Sequence, residues 1–402
     1  MLPQVQITFA NGALGQTAQT ADGVFGLITQ GVPLVDETML HLATPYVLYS
    51  LDDLVALGVK DDGSANASIY KDVKEFYDNS ANGTELWLIV FPQSLLLSDL
   101  VDKTKNTATA LLQSAKGRLR AIGVSFNPDS SYDGSTANGM DEDVATAISN
   151  AQALGEWATD TLHAPIITVL EGYNYQGNAV QLADLTTQQN NRVSVLIGDT
   201  IVNSKKATIG TLLGRAAYNP LQNKIARVRD GAVQSPTMFI KDKAVELADV
   251  NSIDAKGYIT FLTYSARTGY FFVDDWTATL PTDDYVHIVY RRTIDKAYRI
   301  AYDTLLNYLQ DTVPCNSDGT VQVAYARIVE AAVENAIISQ MTANGQLSPA
   351  QDGTDSGVLA DVDLTKNIYA GNPFTITIQV RPFGYNRMIK ATLGFTLTTA
   401  AS

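Results

Sequence analysis

Short apolar runs alternate with amphipathic stretches across residues 23–170, and this alternation limits the possible folds more than any other feature of the chain. The stretches 68–83 and 143–162 repeat apolar residues at helical spacing. Strands that alternate with helices form mainly parallel sheets. The sequence therefore predicts an α/β layer in the N-terminal part. Its predicted strands are 24–29, 46–50, 86–91, 119–126 and 164–173, of which 86–91 is predicted to be buried.

The first helix of this layer carries clear boundary signals. Ser50 is predicted to cap its N-terminus, and Asp52 and Asp53 lie in the first turn, where the helix dipole favours acidic groups. Gly58 follows as the expected stop. These signals predict a short helix directly after the strand at 46–50.

From residue 257 the pattern becomes α+β. Aromatic alternation predicts strands in 257–279 with a turn at Arg267-Thr268-Gly269, followed by a long helix at 283–309 and a second at 321–343. Asp283 and Asp284 would lie in the first turn of the long helix. The predicted fold class is therefore α/β (α+β): a mainly parallel α/β N-terminal part plus a C-terminal α+β domain.

Both ends of the chain have strand patterns with little local support. Apolar and polar residues alternate in residues 1–12, in 372–382 and in 388–398. A lone strand is not stable without a partner sheet. We therefore interpret both ends as strand arms whose apolar positions are Val5, Ile7, Phe9, Ile389, Leu393, Phe395 and Leu397.

The length of 402 residues exceeds what one compact core usually covers. The predicted organisation has three parts. Residues 1–22 form an N-terminal strand arm and linker, 23–250 an α/β outer domain, and 251–402 a C-terminal domain that ends in a strand arm.

Charge and composition narrow the partners. The net charge of −14 argues against nucleic acid, because phosphate binding needs a concentrated basic face, and it also disfavours an anionic membrane. Membrane insertion is not expected, because the N-terminus lacks a signal peptide and no apolar run reaches about 20 residues. The single cysteine, Cys315, excludes an intrachain disulfide and suits a reducing cytosol.

A search for catalytic chemistry yields no candidate residue. His41, His163 and His287 have neither the spacing of metal ligands nor a triad pattern, and no phosphate-binding glycine motif follows a strand. We predict no catalytic residue, no cofactor and no metal, and hence no enzyme. A carbohydrate-active hydrolase remains the enzymatic alternative, because two carboxylates could face each other across a cleft.

A small basic patch at Lys224, Arg227 and Arg229 stands out in an acidic chain. It is interpreted either as a solvated face or as a charge-complementary contact with a neighbouring copy.

The segment GYITFLTYSARTGYFFVDDWTATLPTDDYVHIVYRRTIDKAYRIAYDTLLNYL (257–309) resembles the C-terminal domain of contractile tail sheath proteins. The resemblance rests on Arg267-Thr268, Trp276, and Arg291-Arg292 with Ile294. Three segments of the N-terminal half recur in the same order as in that family: VFGLITQG, YVLYSLDDLVALG and VKEFYDNSANGTELWLIV. Residues 264–266 and 310–314 depart from the family pattern, which indicates a divergent branch.

The resemblance implies a structural subunit of myophage tails or related contractile injection systems. Such subunits form hexameric rings, or a six-start helix, around an inner tube that they drive through a target envelope when the sheath shortens. The implied partners are further copies, the inner tube protein, the baseplate and the tail terminator. Assembly in the bacterial cytoplasm into a virion tail or contractile particle is implied as well.

Two sets of residues follow from the resemblance. The apolar positions of both arms are expected to mediate strand exchange between subunits. A tube-facing or lattice contact is expected of Arg291, Arg292, Lys296 and Arg299. For Arg291 and Arg292 the alternative is that they only brace the fold. The alternative within the same class is another tail or baseplate protein, which would form small closed rings.

Overall fold

The structure is a computed structural model that describes residues 21–34 and 39–395. The chain divides into two compact units, one ending at Val313 and the other beginning at Pro314. The predicted strand at 1–12 and its apolar positions Val5, Ile7 and Phe9 lie outside the described residues, as does Leu397.

The first unit contains a sheet surrounded by helices. Its strands are β1 (Phe25–Gly31), β2 (Tyr46–Leu48), β3 (Leu86–Pro92), β4 (Ala121–Val124), β5 (Thr136–Ala137), β6 (Met140–Asp141), β7 (Ile167–Glu171), β8 (Gln189–Asn190), β9 (Val193–Leu196), β10 (Phe239–Ile240), β11 (Lys243–Ala244), β12 (Phe261–Tyr264), β13 (Arg267–Phe272) and β14 (Ala278–Thr279). Its helices are α1 (Leu51–Ala56), α2 (Ala67–Asn79), α3 (Leu97–Leu100), α4 (Ala108–Ser114), α5 (Asp143–Asp160), α6 (Ile209–Tyr218), α7 (Val250–Ala255) and α8 (Ile288–Leu306).

A six-stranded sheet in the order β2-β3-β1-β4-β7-β9 forms the centre of this unit. All neighbours are parallel except β2, which runs antiparallel to β3. Phe25 of β1 lies opposite Leu86 of β3 on one side and opposite Ala121 of β4 on the other. Every residue of β1 is buried, as in strands covered on both faces. The prediction of a mainly parallel α/β part is confirmed.

Helix α1 begins where the sequence predicted. The side chain of Ser50 accepts the N–H of Asp53 at 3.3 Å, and Asp53 Oδ2 accepts the N–H of Ser50 at 3.0 Å. This reciprocal pair is a capping box. Gly58 follows with φ +85°, a conformation that glycine adopts without strain.

Helices α2 and α6 approach each other closely through two glycines one turn apart. A Cβ atom on Gly210 would lie 1.9 Å from the carbonyl oxygen of Asp72, and one on Gly214 would lie 2.4 Å from that of Phe76. Both distances are far inside van der Waals contact, so only glycine fits.

Two local predictions in the region of the resemblance are corrected. The hairpin of β12 and β13 turns at residues 265–266, and Arg267 already belongs to β13. Helix α8 begins at Ile288 and not at 283, because Asp283 instead accepts the N–H of Tyr285 at 2.7 Å in a preceding turn.

Packing divides the chain after Val313, and the domain boundary predicted at residue 250 stays a prediction. The first unit extends to Val313 because residues after 250 continue its core. Ile259 bridges to Leu196 at the end of the sheet, and the side chains of Tyr258 and Phe261 are fully buried.

The second unit is small. It consists of helix α9 (Val323–Ile337), a π-helical turn (Ile338–Thr342) and the antiparallel pair β15 (Val358–Val362) and β16 (Ile376–Val380). Helix α9 packs on β15, with Val329 and Val333 fully buried.

No helix in 21–34 or 39–395 has both the length and the apolar content needed to cross a bilayer.

Candidate assembly interface

The four cations predicted as lattice contacts lie on α8, and two of them hold the segment before β1. Arg292 donates through Nη2 to the carbonyl of Asp22 at 3.1 Å, and its guanidinium carbon lies 5.5 Å from the centre of the Phe25 ring. Lys296 Nζ lies 2.6 Å from Asp22 Oδ2. These contacts tie α8 to the amino end of β1.

The other two cations reach the amino ends of the neighbouring strands. Arg299 donates to the carbonyl of Leu119 at 3.2 Å and to that of Pro165, which precede β4 and β7. Burial, reinforced by nearby Arg120, lowers the pKa of Arg299 to about 9. Asp295 connects this group of α8 cations to β9.

Asp295 lies between two guanidinium groups. Arg291 Nη2 lies 2.9 Å from Asp295 Oδ1, and Arg192, directly before β9, lies 3.3 Å from Oδ2. Helix α8 therefore covers the amino ends of β1, β4, β7 and β9 with a row of cations. Their contacts in the structure are those of bracing groups, and Arg292 is only 4% exposed. A tube contact by these side chains stays a prediction.

The carboxyl ends of the parallel strands, where open parallel sheets usually bind ligands, are covered by side chains. Ser125, directly after β4, donates to Asp72 Oδ2 at 2.5 Å. Lys71 Nζ lies 2.6 Å from Asp199 Oδ1 beyond β9. The carboxyl group of Glu171, at the end of β7, is fully buried, and burial raises its pKa to about 8. The carboxyl ends of these strands are thus packed with paired or neutralised polar groups.

A buried charge cluster lies at the start of α8. The ligand atoms of Asp274, Asp275 and His287 lie within 4.8 Å of one another, a spacing compatible with a cation. The ammonium group of Lys224 already lies 2.5 Å from Asp274 Oδ1 and 3.1 Å from Asp275 Oδ1. The arrangement is that of a buried ion-pair cluster.

The basic patch predicted around Lys224 is divided by this cluster. Lys224 is half-buried within it, whereas Arg227 pairs with Asp230 at 3.2 Å and Arg229 is exposed. The three side chains therefore do not form one basic face.

In the second unit, the outer edge of β15 is closed by side chains. The ladder to β16 uses the backbone of alternate residues, with Asp363 donating to Thr375 and Arg381 to Gly357. The intervening N–H groups of β15 point away from β16, and acceptors lie opposite each of them. Val358 N–H bonds Ser356 Oγ at 3.3 Å, Ala360 N–H bonds Glu334 Oε1 at 2.8 Å, and Val362 N–H bonds Glu330 Oε1 at 2.9 Å.

Within the described residues, no strand lies at the outer edge of β16. Ile376, Ile378 and Val380 lie opposite Val362, Ala360 and Val358 in the non-hydrogen-bonded positions. Their N–H and C=O groups therefore point away from β15. Among the described residues, β16 pairs with β15 alone. The same three side chains are only half-buried, so the apolar face of the sheet is incomplete at this edge.

Residues 388–395 have no partner strand among the described residues. The predicted strand at 388–398 is corrected for its described part, because residues 388–395 form no regular structure. Ile389 is 81% exposed, and Leu393 and Phe395 are almost completely exposed. A strand needs a hydrogen-bonded neighbour, and the described chain supplies none.

Sequence reasoning missed Glu330 and Glu334. Their one available signal was the one-turn spacing of two acidic residues on a largely apolar helix. Nothing in the sequence indicated that their acceptors would meet a strand edge.

Solved structures from contractile systems share this fold. A chain of the anti-feeding prophage baseplate has a TM-score of 0.63 at 14% identity, and 99% of both chains is covered. A chain of the PVC sheath complex, an extracellular contractile injection system in the contracted state, has a TM-score of 0.57 at 12% identity, covering 99% of this chain and 98% of that one. The sheath tail protein Lin1278 from Listeria innocua has a TM-score of 0.53 at 10% identity, covering 93% and 95%.

The fold is therefore that of contractile sheath proteins, as the resemblance implied, at low sequence identity. The chain belongs to the DUF2586 family, whose N-terminal domain model matches residues 2–275 and whose C-terminal domain model matches residues 284–400. No curated protein matches the sequence.

Proposed function

We propose that this chain is a structural subunit of a contractile sheath, which polymerises around an inner tube and shortens to drive that tube through a target envelope. The observation that carries the proposal is the incomplete sheet of the second unit. An open strand edge on β16 and an exposed apolar segment at 388–395 occur in one chain.

Strand exchange between copies would satisfy both features. The apolar positions Ile389, Leu393 and Phe395 would be covered by a neighbour's sheet, and the backbone groups of β16 would gain partners. If each copy donates its strand to one neighbour and accepts a strand from another, the contact is head-to-tail, and such contacts generate rings and open helices. Val5, Ile7, Phe9 and Leu397 are proposed to take part in the same exchange.

Contraction needs no nucleotide if the extended lattice is a trapped state of higher energy. A gain of about 1–3 kcal/mol per subunit, the size of a typical coupling free energy, would add up over many copies. The proposed partners are further copies in sixfold rings or a six-start helix, the inner tube, the baseplate and the tail terminator, assembled in the bacterial cytoplasm. No enzymatic activity, nucleic-acid binding or membrane insertion is proposed.

Electron microscopy of the purified full chain tests the proposal. The wild type is expected to form long tubes, and deletion of residues 1–12 or of 388–402 is expected to abolish them. A full-length control replaces Ile389, Leu393 and Phe395 by serine, which keeps the length but removes the apolar stripe. Normal sheaths from both truncated chains would contradict strand exchange.

A second candidate is a different component of the same kind of machine. The anti-feeding prophage chain that shares this fold comes from a baseplate structure. A baseplate or terminator component would form small closed rings under the same conditions, so the length of the particles distinguishes the two functions.

A further inference from the structure

The two edges of the β15–β16 sheet differ in what their backbone groups contact. All three outward N–H groups of β15 have side-chain acceptors in Ser356, Glu334 and Glu330. Two of these acceptors are carboxylates, and hydrogen bonds to ionised acceptors are about twice as strong as neutral ones. On β16, the described residues place no acceptor at the corresponding N–H groups.

Glu330 is itself held in place. Its Oε1 atom accepts the N–H of Val362 at 2.9 Å, while Oε2 lies 2.6 Å from Arg327 Nη1. A strand arriving at β15 would have to displace both glutamates and would leave their carboxylates beside its own carbonyl oxygens. The β15 edge is thus protected against strand addition in the way that edge strands are often protected by charge.

The β16 edge has the opposite character. Ile376, Ile378 and Val380 are half-buried beside an open ladder, so one further strand would both pair their backbone and cover their side chains. The segment 388–398 of a second copy fits this need, because its apolar residues alternate and Ile389, Leu393 and Phe395 are exposed in the single chain.

We propose that Glu330 and Glu334 make strand exchange one-sided, so that the C-terminal segment of a second copy adds to β16 and never to β15. This inference rests on the proposed function. It identifies β16 as the edge that accepts the strand, and Glu330 and Glu334 as the residues that exclude a strand from β15. A second incoming strand would then have to pair with the outer edge of the first incoming strand, on the β16 side of the sheet.

Hydrogen exchange on the full wild-type chain, before and after polymerisation, tests the inference directly. Peptides that cover 375–381 are expected to gain slow amides at Ile376, Ile378 and Val380. Peptides that cover 357–363 are expected to be slow already and to stay unchanged. New protection confined to 357–363 would overturn the one-sided assignment.

Two proline substitutions provide a matched pair, because Ala360 and Ile378 lie directly opposite each other. Each change removes one outward N–H and leaves the β15–β16 hydrogen bonds in place. Ile378→Pro is expected to reduce the sedimentable polymer about tenfold or more, since every subunit contact repeats the defect. Ala360→Pro is expected to polymerise like the wild type, and the reverse result would overturn the inference.

The outcomes also separate the two proposals. Wild-type chains that form no polymer, or polymers that protect neither edge, contradict strand exchange itself. Polymers whose assembly protects β15 contradict only the role of Glu330 and Glu334. If a proline variant fails to fold, as judged by circular dichroism, the wild-type exchange result alone decides.

Discussion

Asp275 accepts the backbone N–H of Val289 through Oδ2 at 3.0 Å, so α8 begins on a carboxylate that lies outside its own first turn. The same side chain lies 3.1 Å from both Lys224 Nζ and His287 Nδ1. Burial opposes ionisation, but Lys224 and His287 outweigh it and hold the pKa of Asp275 below its ordinary value. One buried carboxylate thus joins the helix start to the loop around residue 224.

Replacing this carboxylate is expected to destabilise the first unit. Asp275→Asn should lower the free energy of unfolding by about 3 kcal/mol at pH 7, the scale of a broken buried ion pair. Because the folded pKa is depressed, the contribution is present above the unfolded pKa of about 4 and is lost as pH falls through the folded value.

Thermal unfolding of both proteins between pH 2 and 7 checks this expectation, with the difference shrinking below about pH 4. The exposed Asp61 provides a matched control as Asp61→Asn. Equal melting temperatures for wild type and Asp275→Asn at pH 7 would contradict the role of the carboxylate.

The close approach of α2 and α6 gives a second prediction. Gly214→Ala places a Cβ atom 2.4 Å from the carbonyl oxygen of Phe76, so the helices must separate. We expect a loss of about 1–3 kcal/mol, the usual cost of overpacking. Denaturant titration measures it, and Gly384→Ala is the control, because nothing lies within 4 Å of that site. A stable Gly214→Ala variant would show that the helices separate without cost.

The cations of α8 give a third prediction, which separates bracing from a tube contact. Arg292→Glu removes the hydrogen bond to the carbonyl of Asp22 and is expected to cost about 3–5 kcal/mol, as for a buried charge left without its partner. The exposed Arg267, changed to Glu, is the control.

Stability and tube binding are to be measured on the same proteins. If Arg292 braces the fold, its reversal lowers the melting temperature, and tube co-purification falls only with the folded fraction. Reduced co-purification with an unchanged melting temperature would instead support the tube contact predicted from the sequence.

The buried Glu171 gives a fourth prediction. Burial raises its pKa to about 8, with Asp72 and Asp199 adding repulsion and Lys206 opposing it. The unfolded pKa is about 4.3, so its contribution to stability is fully present below that value and is lost as pH rises toward about 8. Glu171→Gln should therefore gain stability relative to wild type with rising pH.

The expected slope approaches about 1.4 kcal/mol per pH unit between the two pKa values. Denaturant titrations at pH 4, 6 and 8 measure it, and Glu246→Gln is the control, because Glu246 is exposed. A stability difference that does not change with pH would show that Glu171 is ionised in the folded protein.

The sequence by itself determined the elements whose signals are local. The parallel strands were predicted from continuous apolar runs such as 86–91, since strands covered on both faces need them. The cap at Ser50 and the stop at Gly58 were predicted because a capping box and a left-handed glycine act within a few residues. The need for a partner strand at the C-terminus followed from alternation without local support.

Only the tertiary structure decided how distant groups pair. Arg292 contacts Asp22 across 270 positions, and nothing near either residue indicates the other. Long-range packing, and not composition, holds residues after 250 to the sheet, so the first compact unit extends to Val313. Glu330 and Glu334 became edge-capping residues only when α9 was placed on β15. Local patterns define helices and strands. The partner of an outward backbone N–H group, by contrast, is decided only when the neighbouring element is in place.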